Sequence, residues 1–146
     1  MRGTSPAQLA FRESCLGISL ALLACSALAD DLRGADRFLC STLQATVCFA
    51  DGECGIVPPA DLNIPQFIIV DTKAAKLQTT VASGVNRETK ADSVKRVDEH
   101  VVMQGYESGR AFSLMIRVEN GQAAFSSVAD DRSVIVFAAC TPASGP

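Results

Sequence analysis

The chain has 146 residues, 48% of them hydrophobic and 20% charged, with no Trp and a formal net charge of −3. That length holds one domain behind a leader, so multidomain readings fall away. A mildly acidic chain with no basic, aromatic-rich patch is a poor match to nucleic acid or to an anionic lipid surface.

Residues 15–29 read CLGISLALLACSALA and carry no charge; Arg2 and Arg12 precede them, and Asp30 and Asp31 follow. A membrane-spanning helix needs about 20 apolar residues, whereas the apolar core of a secretory signal needs only about 7–15. The segment therefore reads as a signal peptide over 1–29, and no transmembrane span is expected in the mature form. Ala27-Leu28-Ala29 supplies the small-x-small site for cleavage after Ala29. Leu22-Leu23-Ala24-Cys25 resembles a lipobox, which makes lipidation at Cys25, and an outer-membrane lipoprotein, the rival expectation. Either route places the chain in the periplasm, at the outer membrane or outside a bacterial cell. Without the leader the chain keeps eleven basic and fifteen acidic residues, for a net charge of −4.

The exported part, a single domain over 30–141, retains Cys40, Cys48, Cys54 and Cys140. An even count in an oxidising compartment points to disulfides. Of the three possible pairings, the short spacing favours Cys48 with Cys54, which leaves Cys40 for Cys140. There is no CxxC pair and one His, His100, so neither a metal site nor a cofactor is expected.

Along the chain, segments of five to ten residues alternate apolar with polar residues, and no 3.6-residue stripe lasts three turns. Residues 37–50 suit a strand, or a short helix leading into one. Pro58, Pro59 and Pro65 make 55–66 a loop. Residues 67–71 and 76–81 form a hairpin, 83–92 is a polar and mobile loop, and 93–98 is a further strand. Residues 101–105 pair with 111–118 across Tyr106-Glu107-Ser108-Gly109. Within 111–118, Phe112, Leu114, Ile116 and Val118 share one face. Asn120-Gly121 is a strong hairpin signal and returns the chain into 122–128. Asp130-Asp131 turns it again into 133–141, whose apolar run implies burial on both faces or a barrel-closing role. Residues 142–146 read as a disordered tail. The expected fold is all-β: a small antiparallel meander, curled or barrel-like, linked by disulfides.

Chemistry is sparse. No Gly-x-Ser-x-Gly occurs, and the adjacent carboxylates Asp98-Glu99 and Asp130-Asp131 point to opposite strand faces or sit in turns, so they form no acid/base pair. Asp51-Gly52-Glu53 lacks the repeated oxygens of a calcium loop. Arg87, Lys90, Lys95 and Arg96 read as a solvated basic face. A non-catalytic protein that binds a small ligand or an envelope partner is the resulting expectation, with an enzyme of unknown chemistry as the disfavoured one.

Two resemblances add to this. Residues 106–112, YESGRAF, loosely resemble the Ser-Gly loop of periplasmic lysozyme inhibitors, which are small disulfide-linked β-barrels. The likeness implies a loop that enters the enzyme cleft, with Ser108 and Arg110 as the inserted residues. Phe112 stands where that family has an aromatic hydroxyl, and its lysine-glycine motif is absent. As a whole, the mature chain resembles small exported proteobacterial proteins of unknown function. The features in common are the early cluster Cys40, Cys48 and Cys54, the SLMI strand at 113–116 and the IVFAACT ending at 135–141. That likeness implies no activity.

Overall fold

A computed structural model describes residues 31–84 and 86–143. The signal segment with Cys25 and Ala29, and residues 144–146, lie outside the described residues. Among the described residues the fold is all-β, with two single 3-10 turns (Pro59–Leu62 and Val81–Ser83) and no α-helix. The strands are β1 (Arg37–Phe49), β2 (Cys54–Val57), β3 (Phe67–Asp71), β4 (Lys76–Thr79) and β5 (Glu88–Lys90). They continue with β6 (Ser93–Val97), β7 (His100–Glu107), β8 (Arg110–Arg117), β9 (Gln122–Val128) and β10 (Arg132–Pro142).

All pairings are antiparallel, in the order β5-β4-β3-β1-β10-β9-β8-β7-β6, with β2 added to the far half of β1. This is a meander whose first and last long strands pair, curled into a half-barrel. β5 and β6 end the order on opposite sides, yet only Ala91 and Asp92 separate them in the chain. The curl therefore brings the two ends of the sheet together. At this seam the backbone changes partner within two residues: Ala91 N–H donates to Ala75 O at 2.8 Å, and Asp92 N–H donates to Gln104 O at 2.8 Å. Side chains complete it, with Thr89 Oγ1 donating to Glu107 Oε2 at 2.7 Å and Tyr106 N–H to Asp92 Oδ2 at 3.1 Å. Gly105 makes the close approach possible. A Cβ there would lie 2.6 Å from Phe112 Cζ and 3.1 Å from the Lys90 carbonyl oxygen.

Both expected disulfides are formed. Cys40 and Cys140 face each other across β1 and β10 and are buried, while Cys48 and Cys54 pair across β1 and β2 on the outer face. The 100-residue separation of the first makes it the stronger constraint on the unfolded chain, about 4.7 kcal/mol against about 2 for the second in the loop-entropy picture.

One end of the curl is packed solid. Leu32 lies beneath it with no exposure, its N–H donating to Val118 O at 2.7 Å, and it meets the fully buried Phe38, Val101, Met103 and Ile116. The alternation expected for β8 holds: Phe112, Leu114, Ile116 and, just beyond the strand, Val118 are buried, and Met115 and Arg117 are exposed.

Several details differ from the sequence reading. β10 is not buried on both faces, since Ile135 and Phe137 are 44% and 50% exposed on its outer side; its apolar run reflects the closing role alone. The 83–92 segment contains β5, held by Lys76–Gln78 of β4. The supposed four-residue turn at 106–109 shrinks to Ser108-Gly109, both at positive φ, with Tyr106 and Glu107 inside β7. At Asn120-Gly121 only Gly121 takes positive φ, its N–H donating to Arg117 O at 2.9 Å. Residues 55–66 hold most of β2 and a 3-10 turn, and Pro142 ends β10 instead of opening a tail.

Candidate functional site

The other end of the curl is open. From there a cavity of about 490 Å³ runs inward to Phe112, Phe125, Leu77, Ile68 and Val136. Its origin is visible strand by strand, because side chains two residues apart share a face. On β8 the inward series Ile116, Leu114, Phe112 ends in Arg110. On β7 the series Val101, Met103, Gly105 ends in Glu107. On β10 Val136 and Val134 lead to Arg132; on β9 Phe125 leads to Ser127; on β4 Leu77 leads to Thr79. Opposite Leu77, Thr89 of β5 is preceded on the same face by Arg87. All of these outer residues line the cavity. Apolar inward positions at the packed end thus give way to polar and charged ones at the mouth.

The remaining wall is the segment between β2 and β3. β1 carries a bulge between Thr42 and Gln44, and there it exchanges β3 for β2 as its neighbour. Thr42 N–H donates to Gln66 O at 2.9 Å and its Oγ1 to Pro65 O at 3.1 Å, so 58–66 is held across the opening. Asn63, at φ 54°, ends the 3-10 turn, and Asp61, Leu62 and Ile64 face the cavity.

The floor is aromatic. Phe112 is 7% exposed and stacks on Phe125 with ring centroids 5.9 Å apart. At the rim Glu107 accepts from Thr89 and lies 3.8 Å from Arg87 Nη2, so those two charges offset one another. Arg132 Nε is 4.0 Å from Asp131, whose side chain is largely exposed. Arg110 makes no hydrogen bond or ion pair among the described residues. On the outer face of the same region Glu88 is held below its ordinary carboxylate pKa, chiefly by a hydrogen bond from Lys76 and also by one from Gln78.

Of the two residues singled out from the sequence, Arg110 lines this cavity, while Ser108 is exposed in the adjoining turn and does not. Phe112, part of the same inhibitor-like stretch, is committed to the floor. The basic cluster divides: Arg87 faces the cavity, Lys90 and Lys95 are exposed, and Arg96 hydrogen-bonds the Ala35 carbonyl and lies 3.5 Å from Asp36. His100 stands at the opposite end of β7 from Glu107. Glu107, Arg132 and Asp61 were missed as site residues. For Glu107 and Arg132 the available signal was strand parity, since each continues an inward series. Among the described residues no group of three or more His, Cys, Asp or Glu is placed to hold a metal ion, and no helix is long and apolar enough to cross a membrane. The two disulfides are compatible with an extracellular or periplasmic location. Compared with family models, with curated proteins and with solved structures, the chain finds no match in any of the three.

Proposed function

We propose that the chain is an exported, periplasmic and non-catalytic binding protein that holds a small ligand in the open end of its curled sheet. The observation that carries this reading is the 490 Å³ cavity with an apolar floor and a polar rim. Sites for small molecules have this size and this division of labour, in which apolar walls supply affinity and a few polar groups fix orientation. The packed half supports the same reading: it gives the cavity walls a rigid base, so the space need not collapse when empty.

Native mass spectrometry of the protein taken from its own envelope tests the proposal. A co-purifying small molecule that is lost when Ser127→Trp fills the mouth supports it. A bare protein that also fails to bind apolar fluorophores overturns it. The same spectrum tests export: a chain beginning at Asp30, with two disulfides, is expected, and an acylated chain beginning at Cys25 would replace it with a lipoprotein.

A further inference from the structure

We infer that the ligand is a single-chain amphipathic anion, its acidic group at Arg110 and its chain laid over Phe112 and Phe125. This rests on the ligand-binding reading above and names the chemistry it leaves open. The rim charges decide the sign. Glu107 is already met by Arg87 and by the Thr89 hydroxyl, and Arg132 lies 4.0 Å from Asp131, whose side chain is largely exposed. Arg110 has no partner among the described residues, although it continues the inward face of β8 directly above Phe112. Against Arg110 and Arg132 the wall sets Asp61, a carboxylate with no side-chain hydrogen bond among the described residues. The side chains that line the opening thus carry three guanidinium groups against two carboxylates, in a chain whose mature part is net negative, and Arg110 is the guanidinium without an ion pair among the described residues. Guanidinium groups bind carboxylate and phosphate in a two-pronged fashion, which suits an acidic head better than a neutral one.

The shape sets the rest. Along β10 the wall from Arg132 to Val136 runs about 13 Å at ~3.3 Å per residue. An extended chain advances ~1.2 Å per bond, so about ten carbons fit before the packed core is reached. The floor offers two stacked rings and aliphatic side chains, and the path beneath the rim is mostly apolar, with Thr89 a polar side chain at the level of Leu77.

The test uses the full mature chain with both disulfides intact, stripped of lipid and loaded with the neutral fluorophore N-phenyl-1-naphthylamine. Decanoate and decyltrimethylammonium, below their micellar concentrations, and decanol, below its solubility limit, then compete for it. Decanoate is expected to displace the probe at about tenfold lower concentration than decanol, the gain of one charge-assisted contact. Arg110→Gln should erase that gain and leave decanol unchanged, while Lys90→Gln, outside the cavity, should leave both unchanged. Equal potency of decanoate and decanol, or preference for the ammonium, overturns the anionic ligand while the binding reading stands. If the fluorophore does not bind and calorimetry detects none of the three amphiphiles, both fall.

Discussion

Gly105→Ala tests how tightly the sheet closes on itself. The new methyl would stand 2.6 and 2.8 Å from the Phe112 ring and 3.1 Å from the carbonyl oxygen of Lys90. The ring can yield by tilting toward the cavity, but the carbonyl belongs to β5, whose position is fixed by the pairing of Lys76–Gln78 with Glu88–Lys90. Overpacking of this kind costs about 1–3 kcal/mol. Replacing Gly by Ala in an extended segment returns about 0.4–1 kcal/mol by narrowing the unfolded ensemble. The net expectation is a loss of about 1–2 kcal/mol. For a domain of this size that lowers Tm by roughly 5–10 °C and shifts the urea midpoint down by about 0.5–1 M. Urea melts of the oxidised protein, followed by circular dichroism, read it directly. Because Phe112 is also the floor, the same substitution should shrink the cavity and weaken binding of the apolar fluorophore. A Gly105→Ala protein as stable as the parent, with unchanged probe binding, would refute the account of the seam.

The two disulfides should separate clearly. Cys40→Ala with Cys140→Ala is expected to lose about 4–5 kcal/mol, and Cys48→Ala with Cys54→Ala about 2, in matched urea melts. Leu32→Ala removes a fully buried side chain from the packed end and should cost about 2–5 kcal/mol in the same assay without altering probe affinity at the mouth. Acid should also destabilise the fold. Asp36 has its pKa lowered, first by a hydrogen bond from Lys73, and Glu88 is lowered by Lys76. Their contribution is present above the unfolded-state carboxylate pKa and is lost as pH falls through the depressed folded-state values. Asp36→Asn should therefore flatten the acid limb of a Tm-against-pH curve, by a small amount because the groups are exposed.

How far the sequence leads can be seen residue by residue. Phe112, Leu114 and Ile116 announce their face because alternation survives wherever one side is buried. Cys48 and Cys54 announce their bond because six residues suffice for a hairpin and little else. Glu107 and Arg132 stay hidden, since a charge at the end of a strand looks like the start of a turn; only the phase of the apolar residues before it shows that it points inward, and Arg110 is reached from the sequence only through the inhibitor-like stretch 106–112. The strand β5 is obscured for a related reason. Its single inward side chain, Thr89, is polar because it faces the cavity, so a strand shaped by the site reads as loop. Leu32 gives no periodic signal, having one contact-making position in an irregular segment. The outer face of β10 misleads in the opposite direction, since Ile135 and Phe137 are apolar but half exposed.

The Cys40–Cys140 bridge has one more consequence. Together with the hundred residues it spans, it makes a covalent ring that contains every strand from β2 to β9. A protease that cuts once anywhere between the two cysteines opens the ring without releasing a fragment, and the severed ends remain held by the ladders on either side. A cut beside the fully exposed Val81, for example, would leave both halves tethered. For an exported chain, as proposed above, the bridge then acts as a tolerance for damage: one cut raises the intact mass by one water, and the two pieces part only on reduction under denaturing conditions.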